Sequence, residues 1–345
     1  MVKEKLLVIC PGRGTYNATE LGYLKRHHNG GGDMVARLDA YRASLGQPTV
    51  SALDGAEKYS PSLHMPGDNA SLLIYACALA DFAAIDRDRF EVVAVTGNSM
   101  GWYLALACAG VVGFDAGARL VNRMGGLMHE KGQGGQIVWS MADADWRVDP
   151  ARAAVVAAVL AEAAARSDIA VHVSIRLGAM IVFAADDAGM KWLIERLPKD
   201  DRFPMKLNHH AAFHSPLLDH IVPMAQDANP VADFGQGAIP AVDGTGRLWS
   251  PAAFDSEAIY DYTLGAQINR TYDFTRAVQV AAREFCPDRI VVLGPGTTLG
   301  APVAQALIAC GWRGLSGKAD FQQRQAADPI LVSMGMDAQR AVVTP

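Results

Sequence analysis

Apolar residues along the chain follow two rhythms. Short continuous runs bounded by turn residues occur at 6–10, 92–96 and 289–293, and read as buried strands. Longer stretches with helical spacing lie between them. One covers 71–85 behind the candidate cap Asp68-Asn69, and another covers 102–109. Strands alternating with helices predict an α/β protein built on a parallel sheet.

The middle of the chain has its own cadence. Residues 136–141 read as a strand, and Asp149-Pro150 as a cap and first-turn proline opening an alanine-rich helix over 151–166. Two strands at 169–175 and 180–184 meet at Leu177-Gly178-Ala179. A helix over 191–197 and a last strand at 203–207 follow. The order β-α-β-β-α-β is ferredoxin-like. The expected division is therefore a large α/β domain, 1–135 and 207–345, interrupted by a small subdomain at 136–206. Residues 17–67, rich in Gly, Asn, Asp and Pro, read as surface loop.

Composition narrows the class. Half of the 345 residues are hydrophobic, 19% are charged and the net charge is −5. That excludes a generally disordered chain and gives no reason to expect a nucleic-acid partner. No apolar run is long enough for a membrane span. The first strand follows a charged start without a secretory pattern, so the expected location is cytoplasmic. Five scattered cysteines, Cys10, Cys77, Cys108, Cys286 and Cys310, read as reduced thiols in apolar settings, without metal-ligand spacing.

The residues suited to chemistry start at Gly97-Asn98-Ser99-Met100-Gly101, a G-x-S-x-G between a predicted strand and a predicted helix. The glycines permit a sharp turn that presents the Ser99 hydroxyl above the sheet, as in the hydrolase-like α/β folds. The Met100 amide then opens the helix, where it can face an oxyanion. A serine at neutral pH needs a base. His209, His210, His214 and His220 cluster downstream, but their spacing fits no zinc motif. His27, His28, His64, His129 and His172 are expected to be ordinary surface or core residues. No metal and no cofactor are expected.

Several segments together resemble the malonyl-CoA:acyl-carrier-protein transacylase family and the related acyltransferase domains of polyketide synthases. Pro11-Gly12-Arg13-Gly14 is similar to the family's P-G-Q-G. The Ser99 segment continues into Tyr103, Ala105-Leu106 and Ala109-Gly110 like its nucleophile segment. Ala212-Phe213-His214-Ser215-Pro216-Leu217 is similar to its histidine segment, Gln267-Ile268 to its glutamine segment, and Gly294-Pro295-Gly296 to its closing G-P-G. The resemblance implies acyl transfer from an acyl-CoA to an acyl carrier protein, with Ser99 as nucleophile and His214 as base. It also implies a main-chain carbonyl near Gln267 orienting His214, and an oxyanion site formed by the amides of Met100 and Arg13.

The departures concern the substrate. On the helix after the nucleophile, Met124 stands where malonyl-specific members carry an arginine for the substrate carboxylate, which favours a neutral acyl group. The adjacent Arg123 is about 100° around the helix. Two changes pull the other way: Arg13 replaces a glutamine, and Ser174 and Arg176 replace two asparagines of the small subdomain. A cation at Arg13 or Arg176 could hold a carboxylate or a CoA phosphate, although Arg176 reads equally well as an exposed residue paired with an acid. Asn98 replaces a histidine and should affect positioning. Trp102, in place of an acidic residue, is expected to narrow the acyl path, and Trp139 to pack in the small subdomain. Lys191, Lys199, Arg202 and Lys206 are candidates for docking an acidic carrier. Two other readings of the same chain are a thioesterase or esterase using the same Ser-His pair, and a non-catalytic binding protein.

Overall fold

A computed structural model describes residues 2–345. Among the described residues eleven strands form two sheets. In chain order they are β1 (Glu4–Cys10), β2 (Phe90–Gly97), β3 (Gly135–Ser140), β4 (Val171–Leu177), β5 (Met180–Ala185), β6 (Met205–Leu207), β7 (Ala241–Val242), β8 (Leu248–Trp249), β9 (Tyr272–Asp273), β10 (Arg289–Val292) and β11 (Leu331–Ser333).

The larger sheet runs β11-β10-β1-β2-β7-β8. Its pairings are parallel from β11 to β7. The edge strand β8 joins β7 antiparallel, so the sheet is mixed rather than purely parallel. The β1 core, Leu6 to Cys10, is fully buried, as a parallel strand covered on both faces should be. The helix Gly67–Ala84 is apolar nearly all round and is buried nearly all round. Its candidate cap does not act as one: Pro66 holds the cap position, and Asn69 donates to Leu63 O at 2.9 Å.

The second sheet runs β6-β3-β5-β4-β9. Strand alternation divides its residues between two faces. Ile137, Trp139, Ile181 and Phe183 pack beneath the helices Pro150–Ala164 and Asp187–Arg196, burying Trp139. The helix Pro150–Ala164 starts where Asp149 accepts from the Ala151 and Arg152 amides. Val138, Met180 and Val182 occupy the other face and line a cleft against the larger unit. The fifth strand, β9, comes from outside 136–206 and pairs parallel with β4. The small sheet therefore draws on the large unit for its edge.

Residues 17–67 are not surface loop. They fold into short helices, Tyr23–His28, Gly32–Ser44, Val50–Asp54 and Pro61–His64 among them. These helices bury Tyr23, Leu24, Val35, Leu38, Val50 and Leu53. The glycines and asparagines mark the joints between them, with Asn29, Gly30 and Gly31 at positive φ. Of the cysteines, Cys10, Cys77 and Cys108 are buried, while Cys286 is exposed rather than held in an apolar setting. Among the described residues no helix is long and apolar enough to cross a membrane, and no group of side chains is arranged to hold a metal ion.

Candidate functional site

The site begins where β2 ends. Ser99 follows β2 in a left-handed conformation, φ +56°, and the helix Gly101–Ala109 starts two residues later. A non-glycine residue held there costs on the order of 1–3 kcal/mol, which the surroundings must impose. The two flanking glycines are obligatory. A Cβ on Gly97 would lie 2.2 Å from the Gly101 carbonyl, and one on Gly101 would lie 2.4 Å from the Cys10 carbonyl. The Gly101 and Trp102 amides turn back to Asn98 O and Ser99 O, which leaves the Met100 amide at the mouth of the helix beside Ser99. Asn98 N–H donates to Cys10 O at 3.1 Å, fixing the end of β1, and hence the loop at Pro11 to Gly14, against the elbow.

His214 reaches Ser99 from across the cleft, with Ser99 Oγ and His214 Nε2 2.7 Å apart. His214 Nδ1 lies 2.6 Å from Gln267 O, and the His214 amide donates to Ile268 O. A carbonyl can only accept, so Nδ1 carries the proton and Nε2 presents a lone pair to the serine hydroxyl. The imidazole is buried. Desolvation, only partly opposed by the Gln267 hydrogen bond, pushes its pKa down to about 4. It is therefore neutral at pH 7.

Gln267 fixes both partners of the pair. Its Nε2 donates to Ser99 O at 3.1 Å, and its Oε1 accepts from Tyr103 Oη at 2.8 Å. Tyr272 donates to Gly97 O and packs its ring 5.2 Å from that of His214. A second chain of hydrogen bonds supports the histidine segment. His210 Nδ1 meets Gln136 Oε1, Gln136 Nε2 donates to Ser174 Oγ, and Ser174 Oγ donates to Phe213 O.

Two hollows meet at Ser99. One is narrow and lined mainly by apolar groups including Val121, Met124, Met128, Phe213 and Ile268. The other is a wider chamber between the small sheet and the large unit, lined by Asn98, Val138, Ile175, Leu177, Phe203 and Leu299 among others. Arg13 borders both.

The sequence-derived candidates divide accordingly. Ser99, Met100, His214, Gln267, Met124 and Arg13 line the narrow pocket, and Asn98 borders the chamber. Three substrate candidates lie elsewhere. Trp102 is fully buried and donates to Thr263 Oγ1, so it belongs to the core and does not narrow an acyl path. Ser174 is fully buried under Phe213 and acts behind the histidine segment, not on the cleft surface. Arg176 is more than half exposed, lies 3.8 Å from Asp273, and faces a groove on the opposite side of the small sheet. The four downstream histidines do not converge: His220 Nε2 lies on Lys131 O while His210 binds Gln136. Tyr103, Tyr272 and Gln136 carry the support of the pair and were not singled out from sequence. Tyr103 stood in the nucleophile segment, whereas nothing local marked the other two.

No protein-family profile and no curated protein matches the chain. Solved structures do. The malonyl-CoA:acyl carrier protein transacylase of Xanthomonas oryzae pv. oryzae superposes with a TM-score of 0.73 at 21% identity, over 100% of this chain and 98% of its own. A malonyl-transacylase solved in complex with its type II polyketide-synthase acyl-carrier protein gives 0.74 at 17% identity, over 99% of both chains. The acyltransferase domain from the second module of the salinomycin polyketide synthase gives 0.69 at 20% identity, over 99% of this chain and 72% of that one. From end to end, the chain has the fold of the malonyl-CoA:acyl-carrier-protein transacylases.

Proposed function

We propose that this protein is an S-acyltransferase that moves an acyl group from coenzyme A to the phosphopantetheine thiol of an acyl carrier protein, through an ester on Ser99. The observation that carries the reading is the 2.7 Å contact between Ser99 Oγ and the lone-pair nitrogen of a neutral, carbonyl-oriented His214. It gains weight from the fold shared with proteins of that activity.

In the first half-reaction Ser99 Oγ attacks the thioester carbonyl while Nε2 takes its proton. The tetrahedral oxyanion is held by the amides of Met100 and Arg13. Collapse breaks the C–S bond, and the imidazolium returns the proton to the departing CoA sulfur. In the second half-reaction the carrier thiol gives its proton to His214 and attacks acyl-Ser99. Serine then leaves with that proton. The oriented Nδ1–H stabilises the imidazolium, so the pair needs no carboxylate. The acyl group occupies the narrow pocket and the pantetheine arm the wider chamber. Lys191, Lys199, Arg202 and Lys206, all exposed, offer positive charge to an acidic carrier.

Intact-mass measurement of the chain with acyl-CoA, with and without carrier protein, tests this. An adduct that disappears in Ser99→Ala and passes to the carrier is the expected result, with a loss of at least about 10³-fold in loading rate. An adduct released only to water would make the protein a thioesterase. Tight acyl-CoA binding without any adduct would make it a binding protein.

A further inference from the structure

The histidine segment carries a second neutral imidazole that the mechanism above does not use. Its tautomer follows from a chain of hydrogen bonds that starts at Phe213. The Phe213 carbonyl can only accept, so Ser174 Oγ gives it its hydrogen, at 2.7 Å. Ser174 Oγ must then accept from Gln136, which turns its amide nitrogen towards the hydroxyl at 2.6 Å. Gln136 Oε1 is left as the acceptor for His210 Nδ1, at 2.7 Å. Gln136 and Ser174 are buried, so no water competes for these links. The proton of His210 therefore sits on Nδ1, and Nε2 keeps its lone pair. Burial, with the charge of nearby Arg13 adding to it, pushes the His210 pKa well below its ordinary value. The ring is neutral at pH 7, and Nε2 accepts without donating.

That nitrogen has no hydrogen-bond partner among the described residues, and it is not sealed from solvent. The half-buried ring borders the wider of the two hollows at Ser99, with its centroid 5.5 Å from that of Phe213, which borders both. Val138, Val182 and Leu207 border the same chamber, so the acceptor stands among apolar groups. A fixed acceptor in such surroundings orients a ligand that brings a donor to it, and discriminates against one that leaves it unpaired.

We infer that His210 is an arm-binding residue: its Nε2 accepts a hydrogen bond from an amide N–H of the pantetheine arm, and so selects thioesters of pantetheine over acyl donors that lack the amide. The inference rests on the acyl-Ser99 reading above, with the arm in the chamber. The arm has two amide groups on the chain that leads to its sulfur, and coenzyme A and the carrier share it. One acceptor then serves both half-reactions.

The test uses the full chain and an S-acylpantetheine carrying whichever acyl group loads fastest from acetyl-, malonyl- or butyryl-CoA. Its two analogues have one amide or the other replaced by an ester, which keeps the shape and puts a lone pair where the N–H stood. Loading is read as the mass of the Ser99 adduct. One analogue should load at least about fivefold more slowly in kcat/KM, mainly through KM. In His210→Leu that penalty should shrink below about twofold, and His210→Gln, which keeps an acceptor, should recover part of it. His210→Leu should also lower the ratio of acyl-CoA loading to loading by the p-nitrophenyl ester of the same acid, which has no arm, by at least about fivefold. Equal loading of the amide and both ester analogues by the unaltered chain overturns the inference, and needs no variant to fold. So does a penalty undiminished in His210→Leu, which would put the acceptor elsewhere. An equal fall for acyl-CoA and the p-nitrophenyl ester overturns it too, leaving His210 as the end of the support for His214. Adducts formed without amide preference sink the arm contact and leave acyl-Ser99 standing; no adduct from any donor sinks both.

Discussion

Arg340 and Arg13 are both drawn into the interior, and the protein treats them in opposite ways. Arg340, on the C-terminal helix Asp337–Val343, meets Asp81 at 2.7 Å and donates to Tyr23 Oη and Met334 O. Asp81, fully buried, also accepts from Tyr23 Oη, from the Gly294 amide and from His28 Nε2. Burial by itself lowers the pKa of Arg340, but Asp81 and Tyr23 together more than offset it, and the net shift is upward. Arg13 has no such carboxylate, and its pKa falls. A compensated cation can tie distant segments together, here the C-terminal helix, the segment at Tyr23 and the Gly294 turn. Arg13, beside a reactive serine, has two backbone carbonyls and the field of Asp68 in place of a paired carboxylate.

The contrast can be broken most forcefully at Asp81. Asp81→Ala leaves Arg340 buried without its anion and the Gly294 amide without its acceptor. Removing one partner of a buried pair costs about 3–5 kcal/mol. Urea denaturation at pH 7 should show a loss of that size. A loss below about 1 kcal/mol would mean that the cluster is not what fastens the C-terminal helix.

His214 gives the next largest effect, because burial keeps its imidazole neutral where the Asp81 cluster holds charge. With the folded pKa at about 4 and an ordinary value of 6.5, the unfolded chain binds more protons between those two limits. The stability from this group is therefore complete above pH 6.5 and declines as pH falls towards 4, by on the order of 3 kcal/mol. His214→Ala should flatten the dependence of urea midpoints on pH in that window. The rate of Ser99 acylation should follow neutral His214, falling to half near pH 4 and staying level above about pH 6. A half-point near 6.5 would mean that the imidazole is solvated in the working protein.

How much of this could be read from sequence depends on the distance between partners. The Ser99 turn was legible because its constraints are local: two glycines flank one residue at positive φ. The histidine and glutamine segments were legible only through family resemblance, since no short-range rule joins residues 99, 214 and 267. Trp102 was misread because its partner Thr263 is 161 residues away. Of the two readings of Arg176, the structure gives the exposed residue beside an acid, for a geometric reason. Ser174 and Arg176 share strand parity, but the register of β4 against β5 shifts between Val173 and Ile175. That bulge puts Ser174 and Ile175 on the buried side and returns Arg176 to the outer face. Short helices within 17–67 were hidden because long-range packing stabilises them, as where Asp54 accepts from Tyr16 Oη and the Leu24 amide.

The smallest expected effect is the one that sharpens the comparison most. Arg13→Gln removes a largely buried charge that makes no ion pair, and its shorter side chain no longer reaches the Met65 and His209 carbonyls held by Nη2. Two charge-assisted hydrogen bonds are lost, which lowers stability, while the desolvation cost of the guanidinium disappears, which raises it. The two changes oppose each other, so the net change in urea denaturation should stay within about 1 kcal/mol of zero, in either direction. Asp68 loses a nearby cation, but it was not paired with it. A loss as large as that of Asp81→Ala would place Arg13 in the same class as Arg340, as a fastening of the fold. Near-neutral stability would separate Arg13 from Arg340, a cation whose paired carboxylate fastens the fold.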